Sequence, residues 1–296
     1  MQDVIIIGGS FAGLTAAMQL GRARRRVSVL DTGLNRNRYA EAAHNILGAD
    51  GTPPGELLAR ARAQVAAYPT VALISARAVS VSGAPDRFIV TSATGEQLEG
   101  RRLILSYGIV DEMPVIPGFA ECWGRTVIHC PFCHGYEVAG QSWGLLYSGP
   151  FSLHMPALYR NWTDDLTLIL DGHAIPDDER QKLKARGVRI ENARLVSIDH
   201  ENGMLRRVTL DDGKSLAMGA LYAHPRSHPA ADLHSQLGLD MKQTPTGTMI
   251  AVNEMQATSR PGIFAAGDLA TAMHSVTFAN SMGSLAAMGA LQSMMV

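Results

Sequence analysis

Two cysteines spaced C-x-x-C are the residues of this chain with the clearest chemical potential. They are Cys130 and Cys133, in the string His129-Cys130-Pro131-Phe132-Cys133-His134-Gly135-Tyr136-Glu137. Because the chain has only three cysteines, this pair is more typical of redox or metal chemistry than of a disulfide framework. Pro131 predicts that Cys130 begins a helix, whose positive end lowers the pKa of a thiol. We therefore predict a dithiol/disulfide couple that exchanges with a substrate.

Two other chemistries fit this string less well. Residues 130–134 also spell the c-type haem attachment motif, but that attachment follows export, and the chain opens on a strand without a signal-peptide pattern. A zinc site needs two more ligands, so no metal site is expected. The nearby Cys122 is typical of a buried apolar residue. His134 is expected to act as a base near neutral pH, with simple packing as the alternative.

A glycine-rich turn near the N-terminus predicts a dinucleotide site. Residues 2–7 predict a buried strand, which Gly8-Gly9-Ser10-Phe11-Ala12-Gly13 turns into a helix. The helix N-terminus presents backbone N–H groups to a pyrophosphate, and Asp31, at the end of the next strand, accepts from a ribose hydroxyl. Ser10 stands where the G-x-G-x-x-G pattern has its second glycine. Its small side chain predicts weakened binding, and its hydroxyl is a donor to phosphate.

A second string near the C-terminus predicts the other half of the same site. It is Thr258-Ser259-Arg260-Pro261-Gly262-Ile263-Phe264-Ala265-Ala266-Gly267-Asp268. Gly267 allows the backbone to approach a cofactor, and Asp268 offers a carboxylate to a ribityl hydroxyl. The helix that follows directs its positive end at a flavin pyrimidine, where negative charge collects on reduction.

The elements between these strings predict an inserted domain. Residues 71–106 predict a β-meander, and residues 114–118 predict a crossing into a second domain. There, a strand at 143–148, a helix at 152–162 and a strand at 166–170 predict a second, smaller βαβ unit.

The order of these strings resembles the low-molecular-weight thioredoxin reductase family of FAD enzymes along the whole chain. Ser106-Tyr107-Gly108, an imperfect copy of the family's Ala-Thr-Gly, supports it. The resemblance implies the α/β fold class, with two Rossmann-like, three-layer ββα dinucleotide-binding domains. The FAD-binding domain, residues 1–114 plus 242–296, is then split in sequence around an inserted, degenerate NAD(P)-type domain, residues 115–241, which carries the C-x-x-C.

The resemblance also implies a set of FAD contacts. These are Gly8, Ser10, Phe11, Ala12, Gly13, Asp31, Thr32, Arg36, Asn37, Asn45, Val79, Gly108, Gly267, Asp268, His274, Ser275 and Val276.

Two departures separate this chain from relatives that use NADPH. The first is the turn Tyr147–Ser152, which contains Pro150 and Phe151 where those relatives let a phosphate approach bare backbone. The segment after the next strand, Asp171–Glu179, is acidic, whereas those relatives have an arginine cluster there that binds the 2′-phosphate. The second departure is His134, where those relatives have an aspartate. NADPH is therefore not expected as a cofactor.

The pattern Cys-x-Phe-Cys-His-Gly-Tyr-Glu, with a failed nicotinamide site, is similar to the dithiol oxidase branch, which includes the gliotoxin- and holomycin-type disulfide-forming oxidases and their bacterial relatives. The similarity implies that Cys130 exchanges with substrate, that Cys133 is the sulfur nearer the flavin, and that His134 takes a proton. The dithiol, a small metabolite, a peptide or a thioredoxin-like protein, would become a disulfide, with O2 as acceptor and H2O2 as product. Two alternatives stay open: a thioredoxin-disulfide reductase fed by NAD(P)H or a ferredoxin-type donor, and a catalytically idle FAD-binding scaffold.

Composition argues against several other classes of function. The net charge is −1 and charged residues make up 18%, so no single-sign field favours nucleic acid or an anionic membrane surface. No apolar run reaches the ~18 residues of a spanning helix. We expect a cytoplasmic protein, and the resemblance implies a homodimer.

Overall fold

The computed structural model describes residues 1–295, which divide into two compact units. Unit 1 comprises residues 1–38, 46–110 and the chain from Ser227 onward; unit 2 comprises residues 39–45 and 111–226. The sequence predicts a return to the first domain at residue 242, whereas residues 227–241 lie in unit 1. The reason is burial, because Leu233, Leu237 and Leu239 pack into the core of unit 1.

The elements are numbered along the chain. The strands are β1 (Gln2–Ile7), β2 (Val27–Asp31), β3 (Val71–Ser75), β4 (Ala78–Ala84), β5 (Arg87–Ser92), β6 (Gln97–Leu105), β7 (Ile109–Asp111), β8 (Val127–Ile128), β9 (Trp143–Leu146), β10 (Leu166–Ile169), β11 (Arg189–Glu191), β12 (Leu195–Glu201), β13 (Met204–Leu210), β14 (Ser215–Ala217), β15 (Ala220–Tyr222), β16 (Ser227–Pro229), β17 (Met241–Thr244), β18 (Gly247–Ile250) and β19 (Ile263–Ala265). The α-helices are α1 (Phe11–Arg22), α2 (Pro54–Ala66), α3 (Phe119–Cys122), α4 (Pro131–His134), α5 (Met155–Tyr159), α6 (Asp177–Ala185), α7 (Leu233–Gln236) and α8 (Val276–Gln292). Short 3₁₀ helices are found at Arg36–Tyr39, Pro150–Leu153 and Gly267–Leu269.

Unit 1 is built on a seven-stranded sheet in the order β3-β2-β1-β6-β5-β4, with β19 also paired to β6. Strands β1, β2, β3, β6 and β19 are parallel to their neighbours in this set. Val4, Ile5 and Ile6 on β1 are fully buried, as expected for a strand covered on both faces. The predicted meander holds for β4, β5 and β6, but β3 is a parallel edge strand because it follows the crossover helix α2.

Helix α1 packs against α8 through residues without bulky side chains. A Cβ on Gly283 would lie 2.1 Å from the Ala12 carbonyl oxygen, so the two backbones are as close as glycine allows. Thr15 Oγ1 donates to Asn280 Oδ1 at 3.0 Å across the same interface. This packing places the first turn of α1 next to α8.

Unit 2 contains a parallel five-stranded sheet in the order β11-β10-β9-β15-β8 and an antiparallel sheet, β12-β13-β14. The fully buried side chains of Trp143, Tyr159 and Tyr222 fill its core. The helix predicted at 152–162 is replaced by the 3₁₀ helix at 150–153 and the short α5, because Pro156 has no N–H to donate to a continuous helix. Within residues 1–295 no helix combines the length and apolarity that a membrane span requires.

The contact between α1 and α8 predicts a large effect of Gly283→Ala. The added methyl group would overlap the Ala12 carbonyl, so we expect the free energy of unfolding to fall by about 1–3 kcal/mol. Gly55→Ala in α2 is the matched control, since beyond its own turn of α2 no described atom would lie within 4 Å of its new methyl group; it should be neutral or stabilise by up to ~1 kcal/mol. Urea unfolding measures both, and equal midpoints for the two variants would contradict the prediction.

Candidate active site

The glycine turn of unit 1 lies where its parallel strand order reverses, between β1 and β6. Gly8 has φ +104°, and a Cβ there would lie 2.2 Å from the Ser106 carbonyl oxygen. The Ser106 hydroxyl donates to the Gly8 carbonyl at 2.9 Å. The turn is therefore fixed at the switch point where such sheets bind ligands.

The start of α1 is suited to an anion. Ser10 is the N-cap residue and makes no side-chain capping hydrogen bond, while Phe11, Ala12 and Gly13 form the buried first turn. The first turn of a helix leaves N–H groups without acceptors inside the helix. With no hydroxyl cap in the way, this turn fits a pyrophosphate as the sequence predicts.

Asp31 lines a small cavity beside this turn. Its Oδ1 accepts from the Gly9 N–H at 3.0 Å, and its Oδ2 pairs with the guanidinium of Arg62. The cavity has a volume of about 110 Å³ and is also lined by Leu73 and Ser75. A carboxylate, a guanidinium and apolar walls fit the ribose and adenine of a dinucleotide. Arg62 is not predictable from the sequence, because nothing in its spacing on α2 distinguishes it from Arg60.

Three further predicted residues meet in unit 1. Arg36 Nη1 donates to Asp268 Oδ2 at 3.1 Å and lies 2.7 Å from His274 Nδ1. Next to His274, Ser275 caps α8 by accepting from the Phe278 N–H at 3.1 Å. A carboxylate, a cation and a helix N-terminus thus converge where the sequence predicts flavin contacts.

The remaining predicted contacts are more dispersed. Thr32 follows β2, Asn37 lies in the 3₁₀ helix at 36–39, Val79 lies on β4, Gly108 follows β6 with φ +71°, Gly267 (φ +75°) opens the 3₁₀ helix at 267–269, and Val276 is the first residue of α8. Asn45, with φ +62°, belongs to unit 2. The roles of these dispersed residues stay predictions. The glycine turn, the Asp31–Arg62 pair and the cluster of Arg36, Asp268 and His274 fit an FAD molecule, because they offer hydrogen-bonding groups and bare backbone.

Cys130 and Cys133 form a disulfide in unit 2, with Cα atoms 5.3 Å apart. Cys130 is the N-cap residue of α4 and Pro131 is its first residue, which confirms the predicted helix start. Because α4 has only four residues, its dipole is a small contribution to thiol acidity, and the low pKa of Cys130 stays a prediction. The third cysteine, Cys122, is fully buried, as predicted. Among the described residues no His, Cys, Asp and Glu side chains cluster as a metal ligand set.

His134 ends α4, and the surrounding charges act on it in opposite directions. Both ring nitrogens are buried without a hydrogen-bond partner among residues 1–295. Burial lowers the pKa of His134, the charge of Glu137 acts to raise it, and His44 acts to lower it. Glu137 Oε1 in turn lies 3.4 Å from His44 Nε2. The imidazole is therefore neutral near pH 7, as a base must be.

The βα turn of unit 2 cannot present bare backbone to phosphate. After Gly149, the chain enters a 3₁₀ helix at Pro150, a residue without an N–H. The Ser148 N–H donates to Ser152 Oγ at 3.1 Å. One N–H group of this turn is thus absent, at Pro150, and that of Ser148 is already bonded within the turn.

An aromatic ring lies in the turn that follows β9. The order of the sheet reverses between β9 and β15, where a dinucleotide would bind. At this point the ring of Phe151 meets that of His224 at 5.1 Å, and beside β10 the ring of Tyr147 meets that of His173 at 5.4 Å. Burial lowers the pKa of His224 to about 4. The turn therefore carries a proline and an aromatic ring where relatives that use NADPH need bare backbone.

The Asp31–Arg62 pair predicts a role for Arg62 in FAD affinity. Arg62→Ala removes the cation that holds the Asp31 carboxylate, so we expect the Kd for FAD to rise about tenfold. Arg60→Ala is the matched control, since Arg60 lies on the same helix and pairs with Glu56. Flavin fluorescence during titration of apoprotein gives both constants. Equal values for the two variants would show that Arg62 does not contribute.

The surroundings of His134 predict opposite shifts of a pH profile. Glu137→Gln removes the charge that raises the pKa of His134, so its neutral form persists to lower pH and the acid limb should move down. His44→Asn should move that limb up. The measurement is the rate of anaerobic reduction of the Cys130–Cys133 disulfide by dithiothreitol, with Glu201→Gln, a carboxylate paired with Arg206, as the control. Shifts of the same sign in both variants would contradict the assignment.

Comparisons with known proteins agree with this geometry. Residues 2–283 match the family described as pyridine nucleotide-disulphide oxidoreductase. The thioredoxin reductase sirT of Leptosphaeria maculans is 33% identical over 97% of this chain and 92% of its own length. The thioredoxin reductase aclD of Aspergillus oryzae is 34% identical over 97% and 94%. The crystal structure of an oxidoreductase from Agrobacterium tumefaciens has 39% identity and a TM-score of 0.94, covering 99% of this chain and 98% of that one.

The matches confirm the α/β fold class and the resemblance to thioredoxin reductases. They also establish that the chain is an enzyme, which removes the idle scaffold from consideration. The chain belongs to the pyridine nucleotide-disulphide oxidoreductase family, as a thioredoxin-reductase-like flavin oxidoreductase.

Proposed function

We propose that this enzyme is a dithiol oxidase that closes a disulfide in its substrate through Cys130 and Cys133, with O2 as acceptor and H2O2 as product. The observation that carries the proposal is the state of unit 2. Its C-x-x-C pair is intact, while the turn of its nucleotide site carries Pro150 and the ring of Phe151, which packs on His224. Electrons then enter through sulfur and not through a nicotinamide.

Cys130, Cys133 and His134 account for each bond and proton that changes in the exchange steps. A substrate thiolate attacks Sγ of Cys130, which forms a mixed disulfide and releases Cys133 as a thiolate. The second substrate thiol gives its proton to His134 and attacks the substrate sulfur of the mixed disulfide. Cys130 leaves as a thiolate, and the substrate departs as a disulfide. Two electrons from the substrate now reside on the reduced pair.

FAD fits unit 1 through the residues that the structure brings together. The turn at Gly8–Gly13 would hold the pyrophosphate, Asp31 with Arg62 the adenosine end, and Asp268 with Arg36 and His274 the flavin end. When bound, FAD supplies the two-electron acceptor that returns the pair to its disulfide and delivers the electrons to O2. The protein contributes orientation of the sulfurs and a neutral base.

The second candidate is a thioredoxin-disulfide reductase, and the names of the relatives favour it. The same residues would then carry out the exchange in the reverse direction, with electrons from NAD(P)H or a ferredoxin-type donor. Pro150 and Phe151 in the βα turn of unit 2 argue against NAD(P)H. The oxidase proposal also includes a homodimeric assembly. Its dithiol substrate is a small metabolite, a peptide or a thioredoxin-like protein.

One anaerobic experiment separates these candidates. Holoenzyme is mixed in parallel with dithiothreitol, NADPH and NADH, and the flavin absorbance is followed; air is then admitted and peroxide is assayed. We expect rapid bleaching by the dithiol alone, followed by stoichiometric H2O2. Rapid bleaching by either nicotinamide would overturn the oxidase proposal.

The roles of the cysteines predict a matched set of variants. Cys130→Ser and Cys133→Ser each remove a sulfur that must change partners, so dithiol turnover should fall by roughly a thousandfold or more while the protein keeps its flavin absorbance. Cys122→Ala is the control because Cys122 is buried and outside the disulfide. Oxygen consumption measures turnover. Full activity in either serine variant would refute the assignment.

A further inference from the structure

The residue that precedes the redox pair is held by two contacts within unit 2. The ring of His129 stacks on that of the buried Trp123, with centroids 5.8 Å apart and planes at 24°. The ring of His224 donates a hydrogen bond to the backbone carbonyl of His129. Since His129 is joined directly to Cys130, the N-cap residue of α4, these contacts fix the peptide group that leads into the first cysteine.

The pairing of β15 with β8 accounts for the position of His224. Tyr222 lies opposite Ile128 in this parallel pair, and the Ala223 N–H donates to the Ile128 carbonyl at 2.9 Å. His224 is the next residue, so the ladder places it beside the start of α4. Because burial lowers the pKa of His224 to about 4, its ring is neutral at pH 7 and has a single N–H. The ring Nδ1 has no partner among residues 1–295, so Nε2 carries that N–H.

Phe151 packs on the same imidazole from the turn that follows β9. The two rings meet edge to face, with centroids 5.1 Å apart and planes at 83°. The turn is itself fixed, because Ser152 is fully buried and its Oγ accepts from the Ser148 N–H at 3.1 Å. An edge-to-face pair is attractive and has a defined geometry. Phe151 therefore restrains the His224 ring from rotating away from the carbonyl to which it is bonded.

We infer that Phe151 and His224 are positioning residues for Cys130. Phe151 holds the His224 ring against the His129 carbonyl, and this bond fixes the backbone on the N-terminal side of the redox pair. Two thiols that are held close together form a disulfide far more readily than thiols that are free to move apart, so the bond stabilises the oxidised pair. The inference concerns the stability of the disulfide and does not depend on which substrate reduces it.

The test is the redox equilibrium of the pair in holoenzyme. The protein is equilibrated without oxygen in graded ratios of reduced to oxidised dithiothreitol, and the free thiols of Cys130 and Cys133 are counted by alkylation and mass spectrometry. In Phe151→Ala and in His224→Leu the disulfide should be easier to reduce. We expect half-reduction at a ratio of reduced to oxidised dithiothreitol roughly three- to tenfold lower than in the wild type.

Two further variants separate this bond from a general disturbance of unit 2. His224→Gln keeps an N–H donor of similar reach and should keep the wild-type ratio. Tyr147→Ala is the matched control for loss of a ring, because Tyr147 packs on His173, whose ring is bonded to the Leu170 carbonyl at 3.0 Å. It should also keep the ratio. FAD content and thermal melting establish that each variant is folded.

A double variant shows whether the two residues act through one bond. Phe151→Ala should add little to the shift caused by His224→Leu, since the ring that Phe151 restrains is then gone. Additive shifts would overturn the inference, and so would an unchanged ratio in both single variants. A shift in His224→Gln as large as that in His224→Leu would also overturn it. None of these results bears on the oxidase proposal, which is tested separately by bleaching of the flavin.

Discussion

Unit 1 depends on the close approach of backbone segments at the end of β1. Gly8 and Gly13 let the strand turn directly into α1, and Gly283 lets α8 approach that helix; any side chain at these positions would overlap a carbonyl group. The approach of α8 also positions the chain before it, where Asp268 and His274 meet Arg36. The glycine turn and the polar cluster of Arg36, Asp268 and His274 are thus consequences of the same packing.

Unit 2 uses the same strand–turn–helix plan and reaches the opposite result. In both units the turn follows a parallel strand at the point where sheet order reverses. In unit 1 that turn contains glycines, which leave the backbone uncovered. In unit 2 it contains Pro150 and Phe151, whose ring packs on His224. Since a phosphate needs N–H donors and space, the turn of unit 1 is the better suited of the two to a dinucleotide.

Local patterns in the sequence predicted much of this, and long-range pairings account for most of what was missed. The glycine turn, the helix start at Cys130 and the burial of Cys122 follow from neighbouring residues, so spacing alone indicates them. The pairing of Arg62 with Asp31, and of His44 with Glu137, depends on how distant segments fold together. The return to unit 1 at Ser227 was placed too late for a similar reason, because the short helix α7 carries no periodic signal of which core its leucines join.

The burial of His134 bears on proton transfer during disulfide exchange. Closing a disulfide in a dithiol releases two protons, and the enzyme form that meets the dithiol is the one with Cys130 and Cys133 oxidised. In that form the imidazole is buried and its pKa is lowered, so it is ready to accept a proton. By microscopic reversibility the same imidazole, once protonated, returns the proton when the exchange runs backwards. The redox pair and the base therefore work as one unit in the exchange, and the direction of net electron flow depends on the potentials of substrate and acceptor.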